Sequence, residues 1–222
     1  MTKPIFLCAL LTVAAGVGCE TPEAIDPAPV IPVFEVPRPG VAPSDFYALP
    51  FPSDIRRDDA GHPIMTDYPT PVGIVGTYTA ALPKLDGFGT NAAIFQRFTG
   101  AIDVDSLPAD AAASLADTAS VYLVDVDPDS PEHGQKRPVV FRFQHGKGFT
   151  IGPDWLSALP YPGFPLRERT TYALVVTNRL TAGGGRMEAA LEFGAIAAEL
   201  ICPYLMGQIP YWLLQIPQEV RL

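Results

Sequence analysis

Helix-breaking residues run the length of this chain: 25 of its 222 residues are proline and 19 are glycine. Proline removes a backbone donor and clashes with the preceding helical turn, and glycine in a helix costs entropy. That density excludes a coiled coil or a helical bundle. The same chain is 48% hydrophobic and only 18% charged. This excludes wholesale disorder, because enough apolar surface is present to build a core. The length suits one ordinary domain with extensions, or two small ones. A net charge of −9 argues against a polyanionic partner, so no nucleic acid is expected.

The N-terminus carries an address. Lys3 is followed by an apolar run over residues 5–17 and then Gly18 and Cys19. A positive charge, a short apolar stretch and small residues at its end describe a secretory signal. The run is too short to span a bilayer as a helix, which takes about 20 residues. Gly16-Val17-Gly18-Cys19 resembles the lipobox of bacterial lipoproteins, although Gly16 departs from the usual Leu or Val. The resemblance implies that residues 1–18 are a signal peptide and that Cys19 is lipidated. The mature chain would then be exported and held at a membrane of the bacterial cell envelope, the outer membrane by expectation. The alternative is an ordinary signal peptide with Cys19 incidental. Cys8 leaves with the signal, so a lipidated Cys19 leaves Cys202 alone and no intramolecular disulfide is expected.

Past the anchor, residues 19–43 hold seven prolines and read as an extended, proline-rich tether. Residues 44–92 are rich in turns. There Leu49, Phe51 and Ile55 offer apolar anchors, Pro50 and Pro52 stiffen the backbone, and residues 58–62 form a turn signal. Residues 93–182 carry the strand pattern. Strands are predicted at 94–98, 121–126, 139–143, 149–151 and 171–177. Val139, Phe141 and Phe143 share one face, as do Tyr172, Leu174 and Val176. Short strands punctuated by Asp-Pro, Ser-Pro and glycine predict an all-β fold, an antiparallel sandwich.

Two blocks of residues resemble a bacterial Ig-like domain. The first runs from Phe95 and Phe98 through Ile102, Asp103 and Leu107; the second runs from Pro165 and Leu166 through Tyr172 to Val176. The resemblance covers about residues 92–182. It implies an Ig-like β-sandwich in which Tyr172 sits buried at a strand corner with its hydroxyl bonded back to the chain. Pro50-Phe51-Pro52-Ser53-Asp54 and Leu85-Asp86-Gly87-Phe88-Gly89-Thr90 resemble the N-terminal region of exported bacterial lipase-like proteins. In those proteins an α/β-hydrolase domain with a G-x-S-x-G elbow follows.

Little chemistry is legible. No G-x-S-x-G occurs, and the histidines are His62, His133 and His145. His145 precedes Gly146 and reads as a solvated turn residue. Gly183-Gly184-Gly185 lacks the spacing, lysine and hydroxyl of a phosphate loop. Asp125, Asp127 and Asp129 form D-x-D-x-D, and clustered carboxylate oxygens suit calcium. Against that, Ser130 stands where an EF-hand has glycine, and the interleaved Asp-Pro and Ser-Pro pairs also make an acidic turn. Asp103 and Asp105 form a second acidic pair. Calcium is the sole cofactor with any support, and no cofactor is the simpler expectation.

Residues 183–222 read as an apolar tail with a helix over 187–201. From residue 200 to residue 218 there is no charge, but Pro203, Pro210 and Pro217 argue against a membrane helix. So much apolar surface implies docking on the sandwich, a partner domain, or a truncated or frameshifted chain. The leading expectation is a non-enzymatic membrane-anchored lipoprotein whose Ig-like domain binds a partner or acts as a spacer. One alternative is the accessory N-terminal part of a secreted esterase, with a downstream hydrolase domain or another envelope protein as partner. A second is a calcium-stabilised adhesion module.

Overall fold

A computed structural model describes residues 29–37, 43–69, 73–189 and 212–214. Among these residues the regular structure is mostly strand, in antiparallel sheets, with one short α-helix, α1 (Ile74–Thr79), and five single-turn 3-10 helices. The fold is all-β. The strands are β1 (Ile94–Arg97), β2 (Val121–Asp125), β3 (Lys136–Arg137), β4 (Val139–Gln144), β5 (Trp155–Pro160), β6 (Tyr172–Val176), β7 (Thr181–Ala182), β8 (Gly185–Arg186) and β9 (Trp212–Leu214). One sheet has the order β1-β5-β4, a second has the order β3-β2-β6-β9, and β7-β8 is a hairpin.

Alternation explains which side chains go inside. In β2 and β6 the register places Val121 opposite Val176, Leu123 opposite Leu174 and Asp125 opposite Tyr172. In the other sheet Ile94 and Phe141 both lie opposite Ala158, and Gln96 and Phe143 both lie opposite Leu156. Ile94, Leu156 and Ala158 from one sheet join Val121, Leu123, Leu174 and Val176 from the other in a single apolar cluster. Burying each such Leu, Ile or Val stabilises the fold by about 1.5–3 kcal/mol. All five residues of β6 are buried, so this strand is covered on both faces.

The sequence misplaces one strand. Residues 149–151 are not a strand: Gly148 N–H donates to Ile151 O at 3.0 Å, closing a turn, and Phe149 is 82% exposed. The strand lies later, in β5, between β1 and β4. Ser157, Ala158 and Pro160 give it a weak intrinsic preference, and pairing on both edges selects it.

Part of the segment expected to be a tether belongs to the fold. Within the expected 19–43 tether, residues 31–33 run antiparallel to residues 97–99. Val33 N–H donates to Arg97 O at 2.8 Å, Thr99 N–H donates to Ile31 O at 2.9 Å, and Pro32 bridges Phe98. Phe34 enters the core at 7% exposure. A proline can occupy this edge position because its missing donor need not face a neighbour.

The turn-rich extension covers the opposite face of β1 and β5. Phe51 bridges Phe95, and Phe46, Tyr47 and Ile151 form a second cluster with Phe51, Tyr68, Phe95 and Trp155 against it. Phe46 meets Tyr68 edge-on, with ring centroids 4.8 Å apart. Such pairs add about 0.5–1.5 kcal/mol beyond their burial. In the tail, expected to be helical, residues 187–189 adopt no regular structure and 212–214 form β9, paired with β6. The rest of the expected helix lies outside the described residues.

Candidate functional site

Tyr172 opens β6 and is fully buried. Its hydroxyl accepts a hydrogen bond from Arg167 N–H at 3.0 Å. Burial raises the pKa of the phenol, and the Arg167 bond acts against that rise. The hydroxyl thus ties the end of β6 to the chain five residues upstream.

Asp125 and Asp127, from the acidic run, are engaged by hydrogen bonds in and beside their own loop. Asp125 is fully buried; its Oδ1 accepts from Asp127 N–H at 3.0 Å and its Oδ2 from the Ser130 hydroxyl at 2.6 Å. Asp127 accepts from Asp129 N–H at 3.0 Å and from Thr171 N–H at 3.2 Å. Their oxygens organise the loop itself, as Asp side chains do in turns. Among the described residues no group of three or more His, Cys, Asp or Glu is arranged to hold a metal ion. Asp125→Ala removes a buried, charge-assisted acceptor and is expected to destabilise by about 2 kcal/mol in urea unfolding. Millimolar calcium is expected to leave the melting temperature unchanged; a rise that Asp125→Ala abolishes would contradict this account.

Asp103, from the second acidic pair, acts in the same way on the β7–β8 hairpin. It accepts from the Thr181 hydroxyl at 2.7 Å and from the N–H groups of Gly183 and Gly184, each at 3.0 Å. The Thr181 bond first, then the glycine donors, hold its carboxyl below the ordinary range.

His145 has an acidic partner that the sequence does not reveal: its Nδ1 lies 2.5 Å from Asp154 Oδ1. Among the described residues no serine hydroxyl meets a histidine ring. Ser44, Ser106, Ser114, Ser120, Ser130 and Ser157 donate to other oxygens, and the buried Ser53 hydroxyl has no partner.

The concave feature of interest lies where the extension meets the β4–β5 loop. A cavity of about 680 Å³ is lined there by Asp45, Phe46, Arg56, Asp67, Lys147 and Phe149, among others. That volume is in the range of small-molecule sites. Arg56 closes the short turn Asp54–Arg56 and is 8% exposed, whereas Ile55, the expected anchor, is 39% exposed. The Arg56 guanidinium carbon stands 3.9 Å from the Phe46 ring centroid, and Nη2 donates to Phe46 O. Burial lowers its pKa; Asp67 and Asp45 act in the opposite direction. Asp45 is itself engaged, by Arg97 Nη1 at 2.5 Å and by Tyr47 N–H at 2.6 Å. Hydropathy carries no signal that Arg56 and not Ile55 turns inward.

Cys19 lies outside the described residues. The chain matches no protein-family model, no curated protein and no solved structure.

Proposed function

We propose that this chain is a non-enzymatic, lipid-anchored protein of a bacterial cell envelope, in which an Ig-like β-sandwich serves as a binding module or a spacer. The observation that carries the fold half of this reading is the Tyr172 hydroxyl bond to Arg167 N–H, at the start of a strand buried on both faces. A buried tyrosine tied back to the chain a few residues upstream is a hallmark of Ig-like sandwiches. Two antiparallel sheets contributing to one apolar cluster support the same reading.

The anchor half rests on Gly16-Val17-Gly18-Cys19. Two or more acyl chains on Cys19 would hold the chain stably, since each buried methylene contributes about 0.8 kcal/mol. Cys19→Ser is expected to move the protein from the membrane to the soluble fraction, with loss of incorporated radiolabelled palmitate. A wild-type chain that takes up no label, or a variant that stays with the membrane, would sink the anchor.

A further inference from the structure

Arg56 is 8% exposed, and its Nε has no hydrogen-bond partner. Among the described residues no carboxylate comes within ion-pair distance of it. A buried cation with an unsatisfied donor is unfavourable unless something pairs with it. Arg56 lines an open cavity, and because its Nε is closed off from solvent, a partner from outside would meet the guanidinium at its terminal nitrogens. Lys147, on the exposed loop between β4 and β5, lines the same cavity and has no ion-pair partner among the described residues.

The remaining walls select the ligand. Phe149, 82% exposed, gives the cavity its accessible apolar surface, while Phe46 and Ile151 line it but are themselves buried. Asp45 and Asp67 also line it, but the Asp45 carboxylate is held by Arg97. Arg56 and Lys147 against Asp67 leave one positive charge to balance. A dianion such as phosphate would overcompensate that charge and meet both carboxylates. A planar carboxylate fits a guanidinium fork, and an apolar body can lie against the exposed Phe149 ring.

We propose that the cavity between the Asp54–Arg56 turn and the β4–β5 loop binds a small monocarboxylate with an apolar body, its carboxylate on Arg56 and Lys147. The proposal rests on the binding-module reading and is independent of the lipid anchor.

The test uses the full chain carrying Cys19→Ser, which removes any acyl group from competition, with octanoate as the probe in titration calorimetry. Octanoate is expected to bind saturably with one site per chain. Octanol and inorganic phosphate are expected to bind at least about tenfold more weakly, the size of one lost charge-assisted contact. Lys147→Ala is expected to weaken octanoate about tenfold with an unchanged melting temperature, and Arg56→Met to abolish binding. If Arg56→Met fails to fold, Lys147→Ala decides alone. Absence of octanoate binding at millimolar concentration would mean that Arg56 is only a tie to Phe46. Equal binding of octanol would reduce the site to an apolar hollow, and equal binding of phosphate to a generic anion site. Any of these results, or an unaffected Lys147→Ala, overturns the proposal. Failure of the Cys19→Ser fractionation experiment leaves this titration unaffected, so the two readings fail separately.

Discussion

A chain that begins at residue 38 is expected to be less stable than one that begins at residue 29 by roughly 5 kcal/mol, read from urea midpoints. The nine residues between these starts look dispensable by composition. In the fold they supply Phe34, 7% exposed in the main core, and deleting a buried aromatic side chain costs about 3–5 kcal/mol. They also supply the bonds from Val33 N–H to Arg97 O, from Thr99 N–H to Ile31 O and from Glu35 N–H to Ala48 O. Each contributes about 0.5–1.5 kcal/mol net. Gln96, fully buried in β1, would lose the Val33 carbonyl as acceptor for its amide. The loss is of the same order as the whole stability of many domains, about 5–15 kcal/mol. It also bares the edge of β1, which invites pairing between chains, so oligomers in size-exclusion chromatography are expected as well. The chain beginning at residue 29 keeps every contact named and is the matched control. Equal midpoints for the two would show that these residues add nothing to the fold's stability.

Proline density misleads here because an extended polyproline-like backbone and an edge strand look alike in sequence. A period of two runs through the segment nonetheless: Pro32 and Phe34 are buried, and Val30 and Val36 pack against the core. The proline content of the segment masks that period. The strands β2, β4 and β6 were legible for the opposite reason, since β-branched and aromatic residues alternate in them without competition. β5 was not, because its small residues and terminal proline acquire strand character only between two partners. The acidic spacing at residues 125–129 was visible but ambiguous, as carboxylates at i and i+2 serve a turn as well as a metal. Here the loop's own N–H groups and hydroxyl take the oxygens. The cavity was illegible in principle. Arg56 and Lys147 stand ninety-one residues apart in sequence, and only the docking of the extension on β1 and β5 brings them to one space.

Tyr172→Ala is expected to cost about 3–5 kcal/mol in the same urea assay, because it empties a fully buried ring site in the main core. Tyr172→Phe separates packing from the hydroxyl. It keeps the ring and removes only the acceptor of Arg167 N–H, so about 1 kcal/mol is expected. The value is that of an ordinary net hydrogen bond, and this one is part-buried. The hydroxyl leaves a second trace, in pH. Burial raises the Tyr172 pKa in the folded chain above that of an unfolded tyrosine, about 10. The folded state then holds its proton while the unfolded state loses it. Stability is therefore full below about pH 10 and falls as pH rises from there through the folded pKa. Tyr172→Phe has no proton to lose and should lack that part of the alkaline decline. A hydroxyl that merely fits would leave Tyr172→Phe as stable as the wild type at neutral pH. That result would remove the strand-corner tie, and with it the strongest structural support for the Ig-like reading.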